Sequence, residues 1–183
     1  MIVNETERLS RMVEELLDFS RMQSGRLTVQ PEPMDILAEL GDAVLIYMEK
    51  AKREHIRMIY QEPEMLPFVY GDKNRIRQVF INVIDNALKY SNPGGLVTVS
   101  AEAVAEQIQV RISDNGVGIS AADLPKVKTK FFKANHTRRG SGIGLAVANE
   151  IITMHQGKLD LQSELGKGTT VIITLPAMSD HLL

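Results

Sequence analysis

Residues 82–90, "NVIDNALKY", place two asparagines one turn apart inside an apolar run with helical spacing. Asparagine is a mediocre helix former because its short amide competes for nearby backbone groups, so two of them point to a use beyond the helix itself. At about 100° per residue, Ile76, Val79, Phe80, Val83, Ile84, Ala87 and Leu88 share one broad face. Gln78, Asn82, Asp85, Asn86 and Lys89 form a narrow stripe opposite, with Tyr90 at its border. A solvated stripe usually carries Glu, Lys and Arg, and for an arbitrary helix solvation is the default. Here the stripe offers carboxamide oxygens, which are neutral hard ligands for Mg²⁺, next to a lysine suited to phosphate oxygens. Both readings stay open on this helix alone.

Two glycine-rich stretches add to it. "SDNGVGIS", residues 113–120, ends an alternating segment in Asp-Asn-Gly and a second glycine, Gly116 and then Gly118. A strand-terminating turn explains such glycines, since both favour positive φ. It does not explain Asp114, whose carboxylate only accepts and suits the exocyclic amine of a base. "RRGSGIGLAVA", residues 138–148, sets Gly140, Gly142 and Gly144 at a helix start, where free N–H groups and the helix dipole favour phosphate. It is not a P-loop, which needs Gly-Lys-Ser/Thr, and not a Rossmann fingerprint, which follows a strand with different glycine spacing.

The elements that must position these groups follow from periodicity. Residues 4–24 read as an amphipathic helix with Leu9, Met12, Val13, Leu16 and Leu17 on one stripe, stopped by Gly25; that stripe is expected to be buried. Alternation at Leu27 and Val29 before two prolines suggests a short edge strand and linker, with a domain boundary near 25–31. A helix over 35–53, strands near 56–61 and 68–70, and Asp72 as cap of the asparagine helix come next. Residues 94–116 read as a hairpin, with Val97, Val99 and Ala101 facing Ile108, Val110 and Ile112. A short helix and a basic irregular segment follow Ser120. A helix then ends at Gly157, and a last hairpin turns at Gly166 and Gly168. This order implies an α+β two-layer sandwich, a mixed and mostly antiparallel sheet covered by helices on one face and preceded by one amphipathic helix.

Bulk properties agree with one globular domain plus an accessory element: 183 residues, 44% hydrophobic, 24% charged. A formal charge of −2 supplies no general attraction to nucleic acid, and none is expected as a partner. The chain has no cysteine, which suits a reducing compartment, and neither a signal peptide nor a membrane-spanning apolar run.

Across residues 30–176 the combination resembles the catalytic ATP-binding domain of sensor histidine kinases, of the Bergerat-fold group that includes gyrase and heat-shock chaperone ATPases. "NVIDNALKY" resembles the N box, "DNGVGI" the G1 box, "KFFK" the end of the F box, "GSGIGL" the G2 box and "GKGTTVIITLP" the final hairpin. The resemblance implies ATP and Mg²⁺ as cofactors, with Asn86 as metal ligand and Asn82 supporting the metal and phosphates. It further implies that Lys89 contacts phosphate, Tyr90 lines the adenine site and Asp114 accepts from the adenine amine. Gly116 and Gly118 would make room for the ring, and Thr169 would stand with the nucleotide-binding residues. Gly140, Gly142 and Gly144 would hinge a lid, Leu145 would begin the helix behind it, and Lys133, Arg138 and Arg139 would be lid cations.

Two departures accompany the match. Lys128 stands where the F box usually begins with phenylalanine. The phosphoacceptor histidine, followed in the family by an acidic residue and a proline, has no counterpart: His55, His136, His155 and His181 lie in other contexts. His155 reads as a helix-end residue and His55 as a surface or strand-edge residue. Residues 1–25 therefore resemble the second helix of the dimerisation and phosphotransfer hairpin, with 26–183 as the catalytic domain, although the helix can also pack on its own domain. The expected function is transfer of the ATP γ-phosphate to a histidine outside this chain. Expected partners are a phosphoacceptor hairpin, a response regulator and a second copy through residues 4–24. The expected location is the cytoplasm, with a parent protein that is often membrane-anchored. Competing readings are a serine kinase of the same fold, a chaperone-like hydrolase, and a nucleotide-sensing module without transfer.

Overall fold

The computed structural model describes residues 2–128 and 143–179. Helix α1 (Ile2–Gln23) is followed by β1 (Glu32–Met34), α2 (Ile36–Arg53), β2 (Arg57–Gln61), β3 (Val69–Gly71) and α3 (Lys73–Lys89). Then come β4 (Leu96–Val104), β5 (Gln107–Asp114), α4 (Gly144–Met154), β6 (Lys158–Glu164) and β7 (Gly168–Pro176). The main sheet has the order β2-β4-β5-β7-β6; β2 and β4 run parallel and every other pair is antiparallel. Helices α2, α3 and α4 cover one face, which makes the α+β sandwich expected from the element order.

Local chemistry accounts for the elements. Asp35 caps α2 by accepting from Leu37 N–H, and Asp72 caps α3 by accepting from Asn74 and Arg75 N–H. All seven apolar residues assigned to the inner face of α3 are buried. Val97, Val99 and Ala101 of β4 and Ile108, Val110 and Ile112 of β5 are buried too, with part-exposed residues between them, as a one-sided sheet requires. Gly157 is tied to the sheet: a Cβ there would stand 2.4 Å from Thr174 O.

Two expectations fail. Leu27 and Val29 form no strand; the short strand is Glu32–Met34, paired with β3 in a separate two-stranded ribbon. Leu27 is nevertheless buried, so the alternation marks a packed loop and not a ladder. The stripe of α1 is also not buried within this chain: Leu9, Val13, Leu16 and Leu17 are each about half exposed, while Asp18 is buried.

Candidate nucleotide site

Asn82 and Asn86 lie half-buried on α3, and Asn82 sits beside Gly144, where α4 begins. The Asn82 amide donates from Nδ2 to Gly144 O at 3.1 Å. That bond orients the carboxamide, leaving Oδ1 as its acceptor end. Asp85, in the same stripe, is taken by α2: Lys50 Nζ donates to it at 2.9 Å and the Tyr47 hydroxyl bonds it. Burial, with the Asp85 carboxylate next to it, pushes the Tyr47 phenol up. Asp85 thus fastens α3 to α2 and leaves the two asparagines as the stripe's open oxygen donors. Lys89 Nζ rides 5.3 Å from the centroid of the Tyr90 ring, at the C-cap of the same helix.

Asp114 closes β5, between Val97 of β4 and Thr169 of β7. Its carboxylate accepts from Gly116 N–H at 2.9 Å and from Thr169 N–H. Burial raises its pKa and the two backbone bonds pull the other way. A raised carboxyl at a strand end, half-covered and held by backbone, is a fixed acceptor facing the helix layer.

The glycines of this turn have a reason apart from any ligand. A Cβ on Gly116 would lie 2.1 Å from Tyr90 O, which accepts from Val117 N–H at 3.1 Å. One on Gly118, at φ +68°, would lie 2.0 Å from Glu164 O. These close approaches lock the end of α3 and the turn of the last hairpin to the end of β5. The asparagine of the turn is structural as well, since Asn115 Oδ1 accepts from Leu96 N–H at 2.8 Å.

Tertiary structure adds groups that spacing did not reveal. Ser163 on β6 accepts from Ile119 N–H at 2.8 Å and pairs with Thr169 Oγ1 at 2.7 Å, joining the turn to the residue next to Asp114. A lone serine in an alternating strand carries no signal for this. His155, the C-cap of α4, is buried; its Nε2 accepts from Asp72 N–H at 2.9 Å and its Nδ1 lies 2.7 Å from Ile151 O. It couples the end of α4 to the start of α3. Lys128 donates to Leu159 O at 3.0 Å, so its ammonium is used as a clip on β6. Leu145 packs part-buried against the core in the first turn of α4. Lys133, Arg138, Arg139, Gly140 and Gly142 lie outside the described residues.

The set suits a metal held through its ligand. Among the described residues no three His, Cys, Asp or Glu side chains cluster as a metal site. A small hard cation that takes one or two protein oxygens and completes its shell with phosphate and water fits the asparagine stripe.

The sequence profile of the histidine kinase-, DNA gyrase B- and HSP90-like ATPases matches residues 71–179. The chain belongs to this family. Its curated relatives include the sensor histidine kinase WalK of Bacillus subtilis, 36% identical over 94% of this chain and 29% of WalK. The chain spans less than a third of the length of the curated relatives it matches. In fold it is similar to ShkA, solved in complex with AMPPNP, at a TM-score of 0.84 and 23% identity, covering 96% of this chain and 37% of that one. It is similar as well to ThkA, solved with the response regulator TrrA, at a TM-score of 0.77 and 22% identity, covering 97% of this chain and 49% of that one. The chain is thus an ATP-binding catalytic domain of the sensor histidine kinase type, with the two-layer sandwich of that fold.

Proposed function

We propose that this chain binds ATP with Mg²⁺ between α3, the end of β5 and the start of α4, and passes the γ-phosphate to a histidine outside the chain. The observation that carries this is the joint placement of the motif residues: Asn82 fastened to Gly144 O, and Asp114 held as a half-buried acceptor next to Thr169. In this reading Asn86 holds the metal, Asn82 orients the phosphate end, and Lys89 faces phosphate while Tyr90 borders the base. Gly144 opens the α4 N-terminus to an anion, and Asp114 reads the adenine amine. The metal, when bound, neutralises phosphate charge. The protein positions the phosphoryl group and screens it, and the attacking nitrogen comes from the acceptor histidine.

Residues 1–25 are then the second helix of a dimerisation and phosphotransfer hairpin and 26–183 the catalytic domain, with a response regulator receiving the phosphoryl group next. No described helix is long and apolar enough to cross a membrane, which agrees with a cytoplasmic position for this domain. Titration calorimetry with a non-hydrolysable ATP analogue, with and without Mg²⁺, tests the site; folded protein that binds no nucleotide refutes it. Transfer is tested by offering a histidine hairpin in trans. Acid-labile phosphate on the chain's own histidines would contradict an external acceptor.

A further inference from the structure

We propose that α1 is a strap across the phosphate end of the nucleotide site, so that its seat on α3 and α4 competes with Mg²⁺–ATP. The proposal rests on the nucleotide reading above.

The only buried side chain of α1 is a carboxylate. Asp18 accepts from Arg75 Nη1 at 3.0 Å and from Gln78 Nε2 at 2.8 Å, both on the first half of α3. One turn earlier, Glu15 Oε1 comes within 4.0 Å of the point where a Cβ on Gly144 would stand, and Asn82 Nδ2 lies 3.8 Å from the same point. Asp18 and Glu15, one turn apart, thus meet Arg75 and Gln78 on α3 and the Asn82–Gly144 contact between α3 and α4. These contacts form a polar seam along the first half of α3 and the start of α4. That seam lies on the stripe that carries Asn82.

The seat has two consequences. A glutamate occupies the neighbourhood of the α4 N-terminus, where helix polarity favours an anion and where the reading above puts phosphate. Two like-charged groups do not share that space without cost. The helix is held by these polar contacts and by part-buried Phe19 and Met22, with Leu9, Val13, Leu16 and Leu17 left about half exposed. No apolar side chain of α1 is fully buried, and Phe19 and Met22 pack against the core only in part, so the seat is one that a ligand can displace. A protein that strapped itself by its apolar stripe would lose much more on opening.

The test is the affinity of the full chain for a non-hydrolysable ATP analogue with Mg²⁺, for wild type, Asp18→Asn, and the charge exchange Asp18→Arg with Arg75→Asp. A weakened seat raises the fraction of open molecules, so Asp18→Asn is expected to bind about tenfold tighter, and the exchange is expected to return toward wild type. Amide hydrogen exchange in α1 is expected to accelerate when the analogue binds wild type. Equal or weaker binding by Asp18→Asn, with α1 exchange unchanged by ligand, overturns the strap and leaves the nucleotide site standing. Absence of binding to either folded chain overturns the nucleotide reading and the strap with it.

Discussion

Asp114→Asn separates recognition of the base from stability of the fold. The carboxylate is fixed by Gly116 N–H at 2.9 Å and by Thr169 N–H, so it cannot swing away from a ligand that donates to it. A hydrogen bond from an adenine amine to a charged acceptor is worth roughly 1.5–3 kcal/mol, and its loss weakens binding by about 10- to 150-fold. The asparagine keeps one acceptor oxygen and presents an NH₂ group where the second oxygen stood, which costs about 1 kcal/mol of backbone bonding. Against that loss, it removes a charge that burial disfavours.

The sign follows from the raised carboxyl. Because the folded-state pKa lies above the ordinary carboxyl value of 3.8, the folded protein takes up the proton more readily than the unfolded chain. Its contribution to stability is complete below 3.8 and is lost as pH rises through the folded value. At neutral pH the charge is a cost, so stability of Asp114→Asn is expected within about 1 kcal/mol of wild type. Calorimetric titration with an ATP analogue at neutral pH, beside urea denaturation, reads both quantities. Nucleotide binding by wild type is also expected to weaken as pH falls into the window between the raised value and 3.8, where the acceptor is protonated. Unchanged affinity in Asp114→Asn, together with pH-independent binding in that window, would refute the assignment of this carboxylate to the base.

Three further outcomes are expected. Gly116→Ala puts a Cβ 2.1 Å from Tyr90 O, so the α3 terminus and the β5 turn must separate; a loss of at least about 3 kcal/mol by denaturant unfolding is expected, and a neutral substitution would show the loop gives way freely. His155→Ala strands Asp72 N–H and empties a slot against Gly71, at about 3 kcal/mol or roughly 6–12 °C in melting temperature; exchange of the Asp72 amide should accelerate with it. Asn86→Ala is expected to abolish the gain in nucleotide affinity that Mg²⁺ brings while leaving affinity in chelator unchanged; an undiminished Mg²⁺ effect would move the metal to another ligand.

What could be read before the structure is what depends on neighbours along the chain. The inner face of α3 follows from a 3.6-residue repeat, the β4–β5 and β6–β7 hairpins from alternation broken at turns, and the cap at Asp72 from an acceptor placed before an apolar helix. The motif residues were legible for the same reason, since their spacing within one helix or one turn is local. Tertiary structure decided how separate segments meet. It set β2 parallel beside β4, made Gly116 and Gly118 contacts for the chain's own backbone, and gave Asp85 to Lys50 and His155 to Asp72. It also buried Asp18 of α1 and left Leu9, Val13, Leu16 and Leu17 about half exposed, against the expectation from the apolar stripe. A stripe shows only that a surface seeks cover, whereas Asp18 finds Arg75 across 57 residues of sequence, a pairing that the closure of the fold creates.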